Sequence, residues 1–191
     1  MRNNKAFESL TFNTRKDKLY AAVEEALAHD GSVAAFRNGT PVRIIEYSVR
    51  KERPLREFIY NVGPIAGKDP GGNVDADNGL VEMLAVSNTK FIMVERSFVA
   101  GRGMNIRLYL ADISRATDVS RFFSMKGNRL RPTSRKLLLD LNKEGIEPDN
   151  IEGITSGLRL RDGRKTLVLV SDNNFNKEQS TQFLAFKARR F

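Results

Sequence analysis

No cysteine occurs anywhere in the 191 residues, and no tryptophan. The first absence excludes disulfides, thiol nucleophiles, iron–sulfur clusters and cysteine-rich zinc sites. Histidine is nearly missing too, with His29 alone. Multi-histidine metal sites are therefore excluded, and a Ser-His-Asp triad would have to be built on His29. No apolar run approaches the roughly 18 residues of a membrane-spanning helix, and residues 1–5 (MRNNK) carry no apolar signal segment. What remains is oxygen and nitrogen chemistry, with Asp, Glu, Asn, Lys and Arg as the carriers.

Charge is plentiful and one-sided. Lys and Arg number 32 against 23 Asp and Glu, for a net charge of +9 and a pI near 10.0. Arginine supplies most of the excess. A guanidinium matches phosphate or carboxylate oxygens bidentately, so this balance suits an anionic partner. The basic residues are scattered, and no zinc-finger, RNP or basic-zipper pattern gathers them. Nucleic acid is therefore not the partner expected.

The apolar runs are short, rich in Val, Ile, Leu, Phe and Tyr, and closed by Gly, Asn, Asp or Pro, which predicts strands. Eleven are expected: 7–12, 18–23, 42–49, 57–62, 81–86, 91–95, 106–113, 136–141, 151–158, 167–171 and 182–187. Helix is an alternative only at Ala21–His29 (AAVEEALAH) and Lys136–Lys143.

The runs repeat. Glu8–Phe12 (ESLTF), Glu82–Val86 (EMLAV) and Glu152–Ser156 (EGITS) each set a carboxylate ahead of an apolar strand. A second strand ending on polar residues follows each: Leu19–Glu25, Phe91–Arg96 and Leu167–Asp172. Third strands begin near Arg43, Arg107 and Thr181, and fourth strands follow twice. Four-stranded antiparallel units in radial repetition make a β-propeller, so the expected fold is all-β and propeller-like, with about three blades. A sandwich would hold eleven strands but leaves the repeated Glu unexplained. Propellers have roughly 4–8 blades, so residues 1–191 are expected to form one domain that is the C-terminal part of a longer propeller. Its open sheet edges would invite self-association.

Asp149–Thr155 (DNIEGIT), Leu167–Phe175 (LVLVSDNNF) and Thr181–Phe186 (TQFLAF) resemble the C-terminal end of the phytase-like family, esterase-like activity of phytase. Phe7–Phe12 with Leu19–Glu24, Val81–Ala85 with Phe91–Phe98, and Arg107–Tyr109 with Ala116–Ser120 resemble its earlier segments in order. Ser9 stands where the family's first motif has Gly. The resemblance implies a propeller acting on phosphoesters through recurring Glu and Asp residues. It also implies a longer parent protein, secreted or periplasmic where the family's signal peptide is present.

Histidine- and cysteine-based phosphatase mechanisms lack their residues here, which leaves metal-assisted hydrolysis on oxygen ligands. These suit Ca²⁺ best. First strands of blades line the central channel, so Glu8, Glu82 and Glu152 are the candidate catalytic carboxylates. Glu24, Glu95, Glu152, Asp172 and Asn173 are the candidate metal ligands, with Glu25 and Asn174 beside them, and Arg96 is the candidate phosphate clamp. The expected function is a calcium-dependent phosphoesterase acting on a small anionic phosphoester. The alternative is a non-catalytic propeller with structural calcium or none.

Plainer roles exist for the same residues. Asp172–Asn174 reads equally as a turn, the Glu heads as hydrogen-bonding ties between blades, Glu24 and Glu25 as a solvated helix face, and Arg96 as half of an ion pair. Asp118 reads as a turn device and His29 as a loop residue. Gly67–Gly72 (GKDPGG) lacks the ending of a phosphate loop.

Overall fold

A computed structural model describes residues 5–188. Eleven strands are present: β1 Phe7–Phe12, β2 Lys18–Val23, β3 Thr40–Ser48, β4 Arg53–Val62, β5 Ala76–Ala85, β6 Lys90–Val99, β7 Gly103–Asp112, β8 Ser134–Asp140, β9 Ile151–Ser156, β10 Lys165–Ser171 and β11 Phe183–Ala188. They form three antiparallel sheets in the orders β1-β2-β3-β4, β5-β6-β7-β8 and β11-β10-β9. The first strands are neighbours, β1 packing on β5 and β5 on β9. Three blades are thus set side by side around their inner strands, the partial propeller that the repeat predicts. None of the described helical turns could cross a membrane.

Both helical alternatives resolve toward strand. Ala21–Val23 complete β2, and the chain then turns rather than winding through Glu24 and Glu25. Lys136–Asp140 belong to β8, and only Leu141–Glu144 form a single 3₁₀ turn, closed by Gly145 at φ 72°.

The middle blade explains why one run is apolar without alternation. Phe91 and Met93 of β6 pack with Tyr20, Ile44, Phe58 and Leu80 of the first interface. Ile92 and Val94, on the other face, pack with Ile106, Ile151 and Leu169 of the second. A strand buried on both faces has no polar side to show in its sequence.

The chain from 113 to 133, between β7 and β8, crosses back over the first blade. The Val119 and Thr133 amides donate to the Glu57 and Ile59 carbonyls of β4, at 2.8 Å each, which covers that sheet's outer edge. Val119 and Met125 pack on Ile59 in a small core of their own. Beneath them Arg43 of β3 is fixed by Asp30 and Glu57 and also donates to the Phe122 carbonyl at 2.9 Å.

Candidate functional site

Strand register decides which carboxylates meet. Each inner strand carries a β-bulge, a residue with no partner across the ladder that re-aims the chain at that point. In β1 the pairs Phe7–Val23 and Ser9–Ala22 leave Glu8 unpaired, and in β9 Ile151–Ser171 and Gly153–Val170 leave Glu152 unpaired. In β5 the pairs Leu80–Glu95 and Glu82–Val94 leave Val81 as the bulge. Glu82 therefore stands one position along, where the other blades have Ser9 and Gly153.

The same registers sort the second strands. Val23, Glu95 and Ser171 are equivalent and buried, each facing the residue before a bulge. The residues after them, Glu24, Arg96 and Asp172, are equivalent in turn. Two of these three meet at the axis.

The meeting point is a charged cluster drawn from all three blades. Arg96 Nη1 donates to Asn150 Oδ1 at 2.6 Å and to Glu152 Oε1 at 2.7 Å, while its Nη2 lies 3.7 Å from Glu24 Oε1. Lys5 Nζ donates to Glu24 Oε1 at 2.9 Å and to Asp77 Oδ2 at 2.8 Å, and lies 4.0 Å from Glu25. Glu24 and Glu25 are buried, at 3% and 4% exposure. They are not a solvated face. Gly79 makes this possible: a Cβ there would come within 2.5 Å of Glu24 Cγ, so only glycine admits the carboxylate.

Glu8 completes the group without a hydrogen bond of its own among the described residues. Burial raises its pKa above the ordinary 4.5, the Glu24 and Glu152 charges raise it further, and Arg96 and Lys5 oppose them. Burial alone would lower the Lys5 ammonium, but hydrogen bonds to Asp77 and Glu24 outweigh it and hold the pKa above 10.5.

The other sequence-predicted residues lie elsewhere. The Glu82 carboxylate takes its own strand's Met83 amide at 2.9 Å and the Leu10 amide of β1, a tie between blades. Glu95 is buried between the first two blades, accepting from Tyr60 Oη at 2.6 Å and the Gly63 amide at 3.0 Å, with Arg135 at 3.3 Å. Asp172 Oδ1 accepts the Asn174 amide and Asn173 Oδ1 the Phe175 amide, both at 3.1 Å, with Asn174 and Phe175 at positive φ. These are the side-chain-capped turns that Asp and Asn favour. Asp118 serves the same way, capping Ser120 and taking the Glu57 amide. His29 lies in a loop, stacked on Phe123.

Lys5, Asp77 and Asn150 belong to the cluster and are not among the candidate residues that the sequence points to. Asn150 was signalled by its motif, beside Glu152. Lys5 and Asp77 carry no local signal, because only the packing of the blades brings them to Glu24.

A cavity of about 720 Å³ opens beside the cluster between the second and third blades. Asp77, Arg96 and Asn150 of the cluster line it, together with Asp75, Glu147, Asp149 and Glu178. Among the described residues Arg96 is the one cationic residue lining it. Donor chemistry here fits a hard cation, since every acidic group offers oxygen. The arrangement does not yet provide a coordination set: among the described residues no three acidic side chains are grouped to hold a metal. Lys5 and Arg96 occupy the carboxylates instead, so a bound cation would have to draw Glu24 or Glu152 away from them.

A pH prediction follows from Glu8. Its raised pKa means that, between pH 4.5 and its folded-state value, the folded chain holds more protons than the unfolded one, so stability falls as pH rises through that window. Glu8→Gln is expected to melt higher than the parent at pH 7, by less than about 1 kcal/mol after solvent screening. The two should converge below pH 4.5. Melting curves at pH 4 and pH 7 check this, and a lower melting point for the variant at pH 7 contradicts it.

A family model described as phytase-like, esterase-like activity of phytase, matches residues 1–175. No curated protein and no solved structure matches the chain.

Proposed function

The chain belongs to the phytase-like family, and on that premise we propose that the cluster of Glu8, Glu24, Glu152 and Arg96 hydrolyses a small anionic phosphoester. The observation that carries this reading is Arg96, a guanidinium held between carboxylates of two other blades at the wall of an open cavity. It is the group best placed to meet phosphate oxygens entering there, and Lys5 stands behind it as a second positive charge.

In the proposed reaction a water oxygen forms a bond to phosphorus as the bond to the ester oxygen breaks. Glu8 takes the proton that the water gives up, and the leaving oxygen is protonated from solvent. A carboxylate with a raised pKa suits this work, because it stands nearer the working pH than an ordinary one. Calcium is proposed as the cofactor: Glu8, Glu24, Glu25, Asp77 and Glu152 outnumber Lys5 and Arg96. Bound where Glu24 or Glu152 is drawn away from Lys5 or Arg96, it would supply the charge neutralisation that an anionic ester needs at so acidic a mouth.

A second reading rests on the same guanidinium. Arg96 is already bonded to Asn150 and Glu152, so it also works as a staple between blades in a non-catalytic binding module.

Phosphate release from p-nitrophenyl phosphate, with calcium and with chelator, separates the two. The catalytic reading expects calcium-stimulated release, a loss of about 100-fold or more in Glu8→Gln, and a change within about twofold in Glu82→Gln. The last variant is the control because Glu82 lies one register position away from the cluster. Absence of release from a folded chain, or equal losses in both variants, supports the binding module instead.

A further inference from the structure

The chain from 113 to 133 carries a feature that the acidic mouth does not use. Arg115, Arg129 and Arg131 together line a cavity of about 640 Å³ with Thr117, Leu130 and Pro132, and among the described residues no carboxylate lines it. A second cavity of about 630 Å³ adjoins it and shares Arg115 and Arg131. Asp112 on that second wall is committed, its Oδ1 accepting the Ser114 amide at 2.9 Å. Several arginines elsewhere are spent on protein oxygens, Arg43 on Asp30, Arg56 on Glu46 and Arg96 on Glu152. The three groove guanidinia form no ion pair or side-chain hydrogen bond among the described residues.

The segment presenting them is held in shape. The Thr117 amide donates to the Arg131 carbonyl at 2.9 Å, and the Arg131 amide donates back to Thr117 Oγ1 at 2.9 Å. Val119, fully buried, anchors the segment on β4 through Ile59. Three like charges are thus kept together by the backbone rather than by counter-charges, which costs self-repulsion that an anion would relieve.

The groove lies far from the candidate catalytic mouth. Arg96 pairs with Ile106, and Asp112, where β7 leads into the groove, is six residues further along that strand, about 20 Å at the usual rise. A small ligand cannot span both.

We propose that Arg115, Arg129 and Arg131 form a second, non-catalytic site for an anion carrying two or more adjacent phosphate groups. Three fork-shaped donors over two adjoining cavities match several phosphates, each able to take a bidentate contact. One phosphate would leave a guanidinium unused.

The test is calorimetric titration of the full chain with tripolyphosphate and with orthophosphate, at low and at physiological salt. The parent is expected to bind tripolyphosphate at least tenfold more tightly than orthophosphate, with affinity falling as salt rises. Arg115→Gln/Arg129→Gln/Arg131→Gln, whose side chains have no partner among the described residues and which are so expected to melt no lower than the parent, should lose at least tenfold in tripolyphosphate affinity. A control with the same loss of charge, Arg50→Gln/Lys51→Gln/Arg53→Gln on the first blade, should stay within twofold. Unchanged binding in the groove variant overturns the site. Equal weakening in the control overturns it as well, because the net charge alone would then be responsible.

Discussion

Arg43→Ala is expected to lower the stability of the fold by about 3–5 kcal/mol, the range for leaving one member of a buried ion pair unpartnered. Asp30, whose side chain is 0% exposed, takes Arg43 Nε at 2.6 Å and Nη2 at 2.9 Å, and Glu57 takes Nη1 at 2.7 Å. Burial alone would raise the Asp30 pKa, but the guanidinium and the Met125 amide outweigh it and hold the carboxyl below 3.8. The sign is that of a depressed carboxylate: its stabilisation is present above pH 3.8 and is lost as pH falls through the folded-state value. Without Arg43 the buried carboxyl moves upward instead, so the deficit of the variant should be largest at pH 7 and shrink in acid. Arg43→Lys should fall between, keeping the charge but losing the bidentate fork. Urea unfolding at pH 7 and pH 4 measures all three, and a loss under about 1 kcal/mol at pH 7 would show that the pair is not holding residues 113–133 onto the first blade.

Arg96→Ala is expected to have the largest effect on turnover, a fall of about 100–1000-fold in kcat/KM, the usual cost of removing one preorganised donor from a developing oxyanion. It should also destabilise the fold, because Glu24 stays buried with Lys5 as its remaining close cation. Arg96→Lys separates the two effects. A lysine restores charge beside Glu24, and with it part of the stability, but cannot offer the planar fork to phosphate, so activity should stay low. Recovery of activity in step with stability would mean that Arg96 acts only by holding the blades together.

Much of the fold was legible in the sequence because strands bounded by turn residues announce themselves. All eleven runs are strands, with β3 to β7 extending beyond their apolar cores into polar residues that alternation cannot claim. Burial on both faces made Phe91–Val94 look uniform, yet its length and punctuation still marked a strand. The candidate site, as a meeting of side chains, was legible in part. Glu8, Glu24, Glu152 and Arg96 do converge, but Glu82 and Glu95 differ from them by one register position, set by a bulge at Val81 that no residue pattern marks. In a strand one position decides which way a side chain faces. Asp172 and Asn173 occupy a turn, where the same oxygens that suit a cation also cap backbone amides. Lys5 and Asp77 lie 72 residues apart and meet only because β1 packs on β5.

The claim that three blades build one phosphoester site is tested most directly by a double-mutant cycle on p-nitrophenyl phosphate hydrolysis, using Glu8→Gln, Arg96→Ala and the pair together. Groups that act on one bound phosphate are not independent, so the double variant should be no more than about threefold slower than Arg96→Ala alone. Losses that multiply would place Glu8 and Arg96 in separate roles and contradict a shared site.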